Sequence, residues 1–339
     1  MAQEVVRRTK KTAGSIVTRP LVWAGNRVVD VVDRLLFPLQ RVLGVRRMAY
    51  VFVLPNLLIF GIFILFPTLL NFHYALTGSS KLFPSERPFV GMENFQRLFD
   101  CENFLDPNTC REDLFARAVV NTTGYVCFWV ILLVGISLMT ALALNGNIKA
   151  RGFFRSVFFF PVLLSPIVVA LIWKWILQEN GLLNALLLGA GLDKVSFLTS
   201  AGWSTFWVVF ISVWARMGFY TLILLAGLQA IPGDVYEAGK IDGADNLAAF
   251  FYITLPLLMP TMLVVLVLSL IRGVQVFDIV FAFTGGGPGT STLYLVQYIY
   301  NNGFASAAKD YGLAAAASVT MGLVLIVFTL IQLRLGREK

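Results

Sequence analysis

The chain has 339 residues, 58% of them hydrophobic and only 14% charged. Soluble domains carry about 25% charged residues, so this balance excludes a water-soluble globular protein. The net charge of +8 sits largely on the flanks of apolar runs, and no nucleic-acid partner is expected from it.

The first 46 residues are basic and carry no apolar core of the kind a cleavable signal peptide needs near its start. Val28, Val32, Leu35, Leu36, Leu39 and Val42 fall at helical spacing, with Arg27, Asp30, Arg34 and Arg41 opposite. This pattern predicts an amphipathic helix on the inner leaflet, bent at Pro38, within a cytoplasmic extension over 1–47. It reads as a membrane-lipid anchor, with a regulatory contact as the alternative.

Six apolar runs follow, near 50–76, 119–144, 156–177, 205–230, 251–276 and 313–333. Each is long enough to cross a hydrocarbon core of about 30 Å, which takes roughly 20 residues. The runs are continuous and lack the alternation of a membrane barrel, so the expected fold class is all-α, a polytopic membrane protein. Lys and Arg fix the orientation. With the N-terminus inside, the inner segments hold ten before the first run, three in 145–156, one in 231–250 and three in 334–339. The outer ones hold five in 78–118, plus Lys194 and Lys309. Both termini and the loop between the fourth and fifth runs are therefore expected on the cytoplasmic side.

In the outer loop, Phe83, Phe89, Phe95 and Phe99 are expected to dock on neighbouring helices or on a partner. Cys101 and Cys110 could pair there in an oxidising compartment, depending on a Cα separation that sequence leaves open. Cys127, inside the second run, reads as a small core residue. His73 is the only histidine, so no metal site is expected. No G-x-x-x-x-G-K-[ST] loop is present, so the chain cannot hydrolyse ATP, and no catalytic residue is assigned.

The segment 237–256, EAGKIDGADNLAAFFYITLP, is polar and helix-compatible between two apolar runs. It must protrude, as a docking handle or as a plain connection. Pro232 suits a helix start and Asp234 offers an acceptor near it. Tyr236 and Ile241 would anchor the helix, Gly243 allows a turn, and Pro256 is tolerated once the next span is under way.

Glu237-Ala238, Gly243 and Ile253-x-Leu255-Pro256 resemble the coupling loop of importer-type ATP-binding-cassette permeases, with Gly239 where a second alanine is usual. That exchange costs a helix about 1 kcal/mol. Phe277-Asp278 with Thr284-Gly285-Gly286-Gly287-Pro288 is similar to the maltose- and glycerol-phosphate-type branch. Arg151-Gly152-Phe153-Phe154-Arg155 leading into Pro161, and Gly181-Leu182-Leu183-Asn184, agree with it.

The resemblance covers about residues 48–335 and implies a six-helix type I permease core there, with a tail over 336–339. A coupling helix over about 232–248 would present Glu237, Ala238, Gly239, Asp242, Gly243 and Ala244 to a cytoplasmic ATPase. The implied partners are a second, homologous permease, two ATP-binding-cassette ATPases and an extracytoplasmic substrate-binding protein. ATP and Mg would sit on the ATPases and no cofactor on this chain, in a bacterial inner membrane. The substrate pathway would involve Ser212, Ala215, Arg216, Phe219, Ser269, Arg272, Gly273 and Gln275.

The cargo implied is an oligosaccharide or disaccharide, with an α-glucoside such as maltose or trehalose foremost. Arg216 and Arg272 leave two alternatives open: an anion such as glycerol phosphate, which guanidinium binds well, or a structural role, with Arg272 paired to Asp278 or Arg216 closing an interhelical network. A secondary carrier would need mid-membrane carboxylates, and the six runs hold no Asp or Glu.

Overall fold

The computed structural model describes residues 44, 50–78, 80–104, 106–146 and 149–337. The amphipathic segment read over 27–42 and the last two residues of the tail lie outside the described residues. The chain divides into two units after Leu70. In the first, the described chain from Tyr50 onward is helical with a π turn at Gly61–Leu65, and its apolar side chains are exposed. With the residues up to Ala75, it makes the first candidate span, Tyr50–Ala75 (α1).

In the second unit the helices are α2 (Glu93–Phe99), α3 (Asp113–Asn145), α4 (Arg151–Phe159), α5 (Pro166–Leu177), α6 (Leu182–Gly189) and α7 (Ala201–Gln229). These are followed by α8 (Gly233–Ile241), α9 (Asn246–Ala249), α10 (Leu255–Val274), α11 (Asp278–Phe283), α12 (Leu295–Tyr300) and α13 (Tyr311–Arg337). Among the described residues no β-strand forms, only isolated bridges.

Among the described residues five helical runs are long and apolar enough to span a membrane. The third apolar run is broken by a sharp bend. Its two halves, Arg151–Leu163 and Pro166–Gly189, meet at 97°. The cause is proline: Pro161 lies in a 3₁₀ turn, and Ser165 before Pro166 is extended at ψ 134°, the geometry a following proline imposes. The fifth run exceeds its expected bounds, because helix continues with short breaks over Asn246–Phe283. At 1.5 Å per residue its 38 residues reach about 57 Å, well beyond the hydrocarbon core.

The core lies where α3 and α7 run along one another, with α10 against both and α11 against α5. Trp129, Leu133, Val208, Ile211 and Leu224 are buried there. Close approach depends on glycine. A Cβ on Gly218 would lie 2.2 Å from the Phe158 carbonyl oxygen, and one on Gly273 would lie 2.9 Å from the Trp129 ring. Polar side chains join the elements where water is absent. Ser137 Oγ donates to the Met217 carbonyl (3.1 Å), Asn121 Nδ2 to Thr290 (2.7 Å), and Thr122 Oγ1 accepts from the Leu295 N–H (2.9 Å).

A cap covers one end of this unit. Arg87, only 7% exposed, donates to Thr77 Oγ1 (2.8 Å) and the Lys81 carbonyl (2.6 Å) and lies 4.6 Å from the Tyr74 ring. Arg97 ties α2 to the starts of α3 and α13 through Glu112 (2.6 Å) and Asp310 (3.0 Å). Burial pulls the Arg97 proton affinity down, but the hydrogen bonds it donates to the two carboxylates, with their charge, outweigh it and hold it above the ordinary value. Cys101 and Cys110 form a disulfide. Phe95 packs into the core beneath and Phe99 lies against Phe104 and Phe115, whereas Phe83 and Phe89 stay exposed. Cys127 is exposed rather than in the core, because it sits on the face of α3 away from the buried Tyr125 and Trp129.

Candidate coupling loop and pathway face

The loop after α7 builds α8 from Gly233, with extended Pro232 at its N-cap (ψ 139°). Asp234 lies in the first turn, where its charge complements the helix dipole, but no side chain caps the helix. The helix ends at Ile241, because Gly243 adopts φ +84° and the Ala244 N–H returns to the Gly239 carbonyl (2.8 Å). Asp245 then caps a second helix, its carboxylate accepting from the Ala248 N–H (2.7 Å). The single helix expected over 232–248 is therefore two, with a turn between them.

Tyr236 anchors α8 as expected, its hydroxyl 3.0 Å from Thr254 Oγ1. Thr254 closes a π turn (Phe250–Thr254) ahead of Pro256. Ile241 is no anchor: it is 86% exposed, because the helix ends before that face turns inward. Glu237, Ala238, Asp242 and Gly243 are exposed, while Gly239 and Ala244 are half-buried. Beside them, Leu142, Tyr236, Lys240, Asp245, Phe250 and Thr254 line a cleft of about 340 Å³.

The departure at Gly239 has a local cause. A Cβ there would lie 2.5 Å from Ile253 Cδ1, so the missing methyl seats the isoleucine. Gly239→Ala in an Ile253→Val background is expected to gain up to about 1 kcal/mol from helix propensity and to raise the unfolding temperature. In the wild-type background the clash is expected to cancel that gain. Thermal unfolding of the purified complex in both backgrounds checks this.

The pathway residues divide into two groups. Ser212, Ala215, Ser269 and Gly273 are buried within the chain, where they pack α7, α10 and Trp129. Phe219, Arg272 and Gln275 are exposed, and Arg216 is half-buried. Ser212 Oγ lies beside Tyr125 but makes no well-formed hydrogen bond. Buried Tyr220 lies within electrostatic reach of both Arg216 and Arg272. Among the described residues neither guanidinium makes an ion pair, so the Arg272–Asp278 pair is absent. Asp278 and Phe281 continue the exposed positions of Arg272 and Gln275 at steps of three. That spacing is visible in the sequence and would have marked both. Among the described residues no group of His, Cys, Asp or Glu could hold a metal.

Residues 132–338 match the family described as binding-protein-dependent transport system inner membrane component. The trehalose/maltose transport system permease protein MalF of Thermococcus litoralis is 35% identical over 294 residues, 86% of this chain and 94% of that protein. The arabinooligosaccharides transport system permease protein AraP of Bacillus subtilis is 33% identical, over 85% of this chain and 88% of its own. Among solved structures, a subunit of a bacterial ABC transporter involved in the import of the acidic polysaccharide alginate superposes with TM-score 0.71 at 25% identity, covering 90% of this chain and 99% of that one. An all-α span set among the described residues, a polar, largely exposed helical loop after α7 and these matches agree: this chain belongs to the binding-protein-dependent transport system inner membrane components, the type I permease subunits of ATP-binding-cassette importers, and is not an enzyme.

Proposed function

We propose that this permease passes a neutral disaccharide or oligosaccharide, an α-glucoside such as maltose or trehalose foremost, across the cytoplasmic membrane. The observation that carries the reading is two sets of positions open within the chain: the Phe219 ring with half-buried Arg216 three residues before it on α7, and Arg272 with Gln275 three residues after it at the end of α10. Buried Tyr220 lies within electrostatic reach of both guanidiniums, neither of which makes an ion pair among the described residues. A ring stacks on a sugar face, and amide and guanidinium groups donate to hydroxyls. The permeases for trehalose/maltose and for arabinooligosaccharides among its relatives support the sugar class.

In this reading a second permease completes the pathway and an extracytoplasmic binding protein delivers the cargo. Two ATPases, carrying ATP and Mg, close together and draw α8 inward, which turns the pathway from inward-facing to outward-facing. Both termini lie in the cytoplasm. The same two guanidiniums support a second reading, import of an anion such as glycerol phosphate.

ATPase stimulation of the reconstituted complex with its binding protein, across maltose, trehalose, sucrose and glycerol phosphate, separates the two. Stimulation by a neutral sugar is expected; stimulation by the phosphate ester alone overturns the sugar class. Arg272→Ala is expected to raise the half-saturating sugar concentration at least about tenfold, the scale of one lost charged hydrogen bond, with normal membrane insertion. A variant that fails to insert or assemble would make Arg272 structural.

A further inference from the structure

Beyond the Arg272–Gln275 face, four rings touch in series. Phe277 stacks on Phe281 (centroids 5.3 Å apart, 23° between planes), and both meet Tyr300 (5.1 and 5.3 Å). Tyr300 stacks in turn on Phe304 (5.9 Å, 24°). The last pair is set by the π turn Asn301–Ala305, a rare form that recurs at functional sites. The rings do not sink into the core: Phe281 is 45% exposed and Phe304 69%. Among the described residues the Tyr300 hydroxyl makes no hydrogen bond, and the Asp278 carboxylate, next to Phe277 in the chain, makes no ion pair.

A membrane-facing patch would not carry an exposed carboxylate, Asp278, and an exposed guanidinium, Arg272, six residues apart in one candidate span. A core patch would not leave its outermost ring exposed. Aromatic faces interleaved with free hydroxyl, amide and carboxylate groups suit a ligand that is apolar on its ring faces and polar around its edge. That is the chemistry of a pyranose.

We infer that the Phe277–Phe281–Tyr300–Phe304 rings form an outer track for the further sugar units of an oligosaccharide whose leading end occupies the Arg272–Gln275 face. The inference rests on the proposed sugar import and adds to it a preference for length. A disaccharide reaches only the inner face; a longer chain also lies along the rings.

The test uses the full reconstituted complex with its second permease, ATPases and binding protein. Half-saturating concentrations for ATPase stimulation are measured with maltose and maltopentaose, and with arabinobiose and arabinopentaose. Phe304→Ala and Phe281→Ala are expected to raise the value for the pentasaccharide about three- to tenfold, the size of one lost aromatic contact, and to leave the disaccharide within about twofold. Phe304→Trp is expected to restore the pentasaccharide value, and its fluorescence is expected to shift when pentasaccharide is supplied.

A wild-type complex stimulated by no saccharide sinks the sugar reading itself. A wild type stimulated by disaccharides only, or variants that weaken both lengths equally, overturns the track and leaves the sugar reading standing. Loss of the second permease from purified Phe304→Ala complex would assign the rings to subunit contact and overturn the track as well.

Discussion

Glu237→Lys is expected to abolish ATP-driven uptake while the protein still inserts and folds. Glu237 is exposed on α8 and makes no ion pair among the described residues, so the fold loses nothing when its charge is reversed. The loss is expected on the partner surface that the proposed coupling role gives α8. Placing a like charge or an unpaired charge at a docked interface costs about 2–5 kcal/mol, a weakening of at least about thirtyfold. Uptake into proteoliposomes and ATPase copurification check it together. Full uptake with the ATPases still bound would remove Glu237 from the docking surface.

Gly218→Ala is expected to remove most of the folded protein. The added methyl would lie 2.2 Å from the Phe158 carbonyl oxygen and 2.9 Å from the Phe159 Cα. These are backbone atoms of α4 and cannot rotate aside, so the α4–α7 crossing has to open. Overpacking of this kind costs about 1–3 kcal/mol and at times more. Gly135→Ala is the control, since nothing lies within 4 Å of its Cβ position; it is expected to be neutral or to gain a few tenths of a kcal/mol from helix propensity. Monodispersity and thermal unfolding in detergent separate the two. Equal stability of both variants would mean that the α4–α7 crossing is looser than the structure has it.

The spans were legible because burial in lipid demands long apolar runs, and five of the six runs became such helices. The bend in the third was not legible because hydropathy averages over proline. Pro161 and Pro166 lie in plain view in that run, but apolar content alone does not convert two prolines into a 97° bend. In the coupling loop, the places of Pro232, Tyr236 and Gly243 followed from local rules. The division into two helices did not, although Asp245 three residues before Ala248 carries its signal as an N-cap.

Ile241 shows the limit of composition. An apolar residue in a short helix between polar neighbours predicts an anchor, yet its side depends on where the helix stops. In the pathway set, the family positions mixed two environments. Ser212, Ser269 and Gly273 serve helix packing within the chain, whereas Phe219, Arg272 and Gln275 face outward. Only the tertiary arrangement of α3, α7 and α10 separates them.

The most direct test is ATP-dependent accumulation of radiolabelled maltose or trehalose in proteoliposomes holding the complete complex, with the binding protein on the outer side. Accumulation that needs both ATP and the binding protein, and that Glu237→Lys abolishes, is the expected result. Accumulation driven by a proton or sodium gradient without ATP, or uptake of glycerol phosphate with no sugar transported, would contradict it.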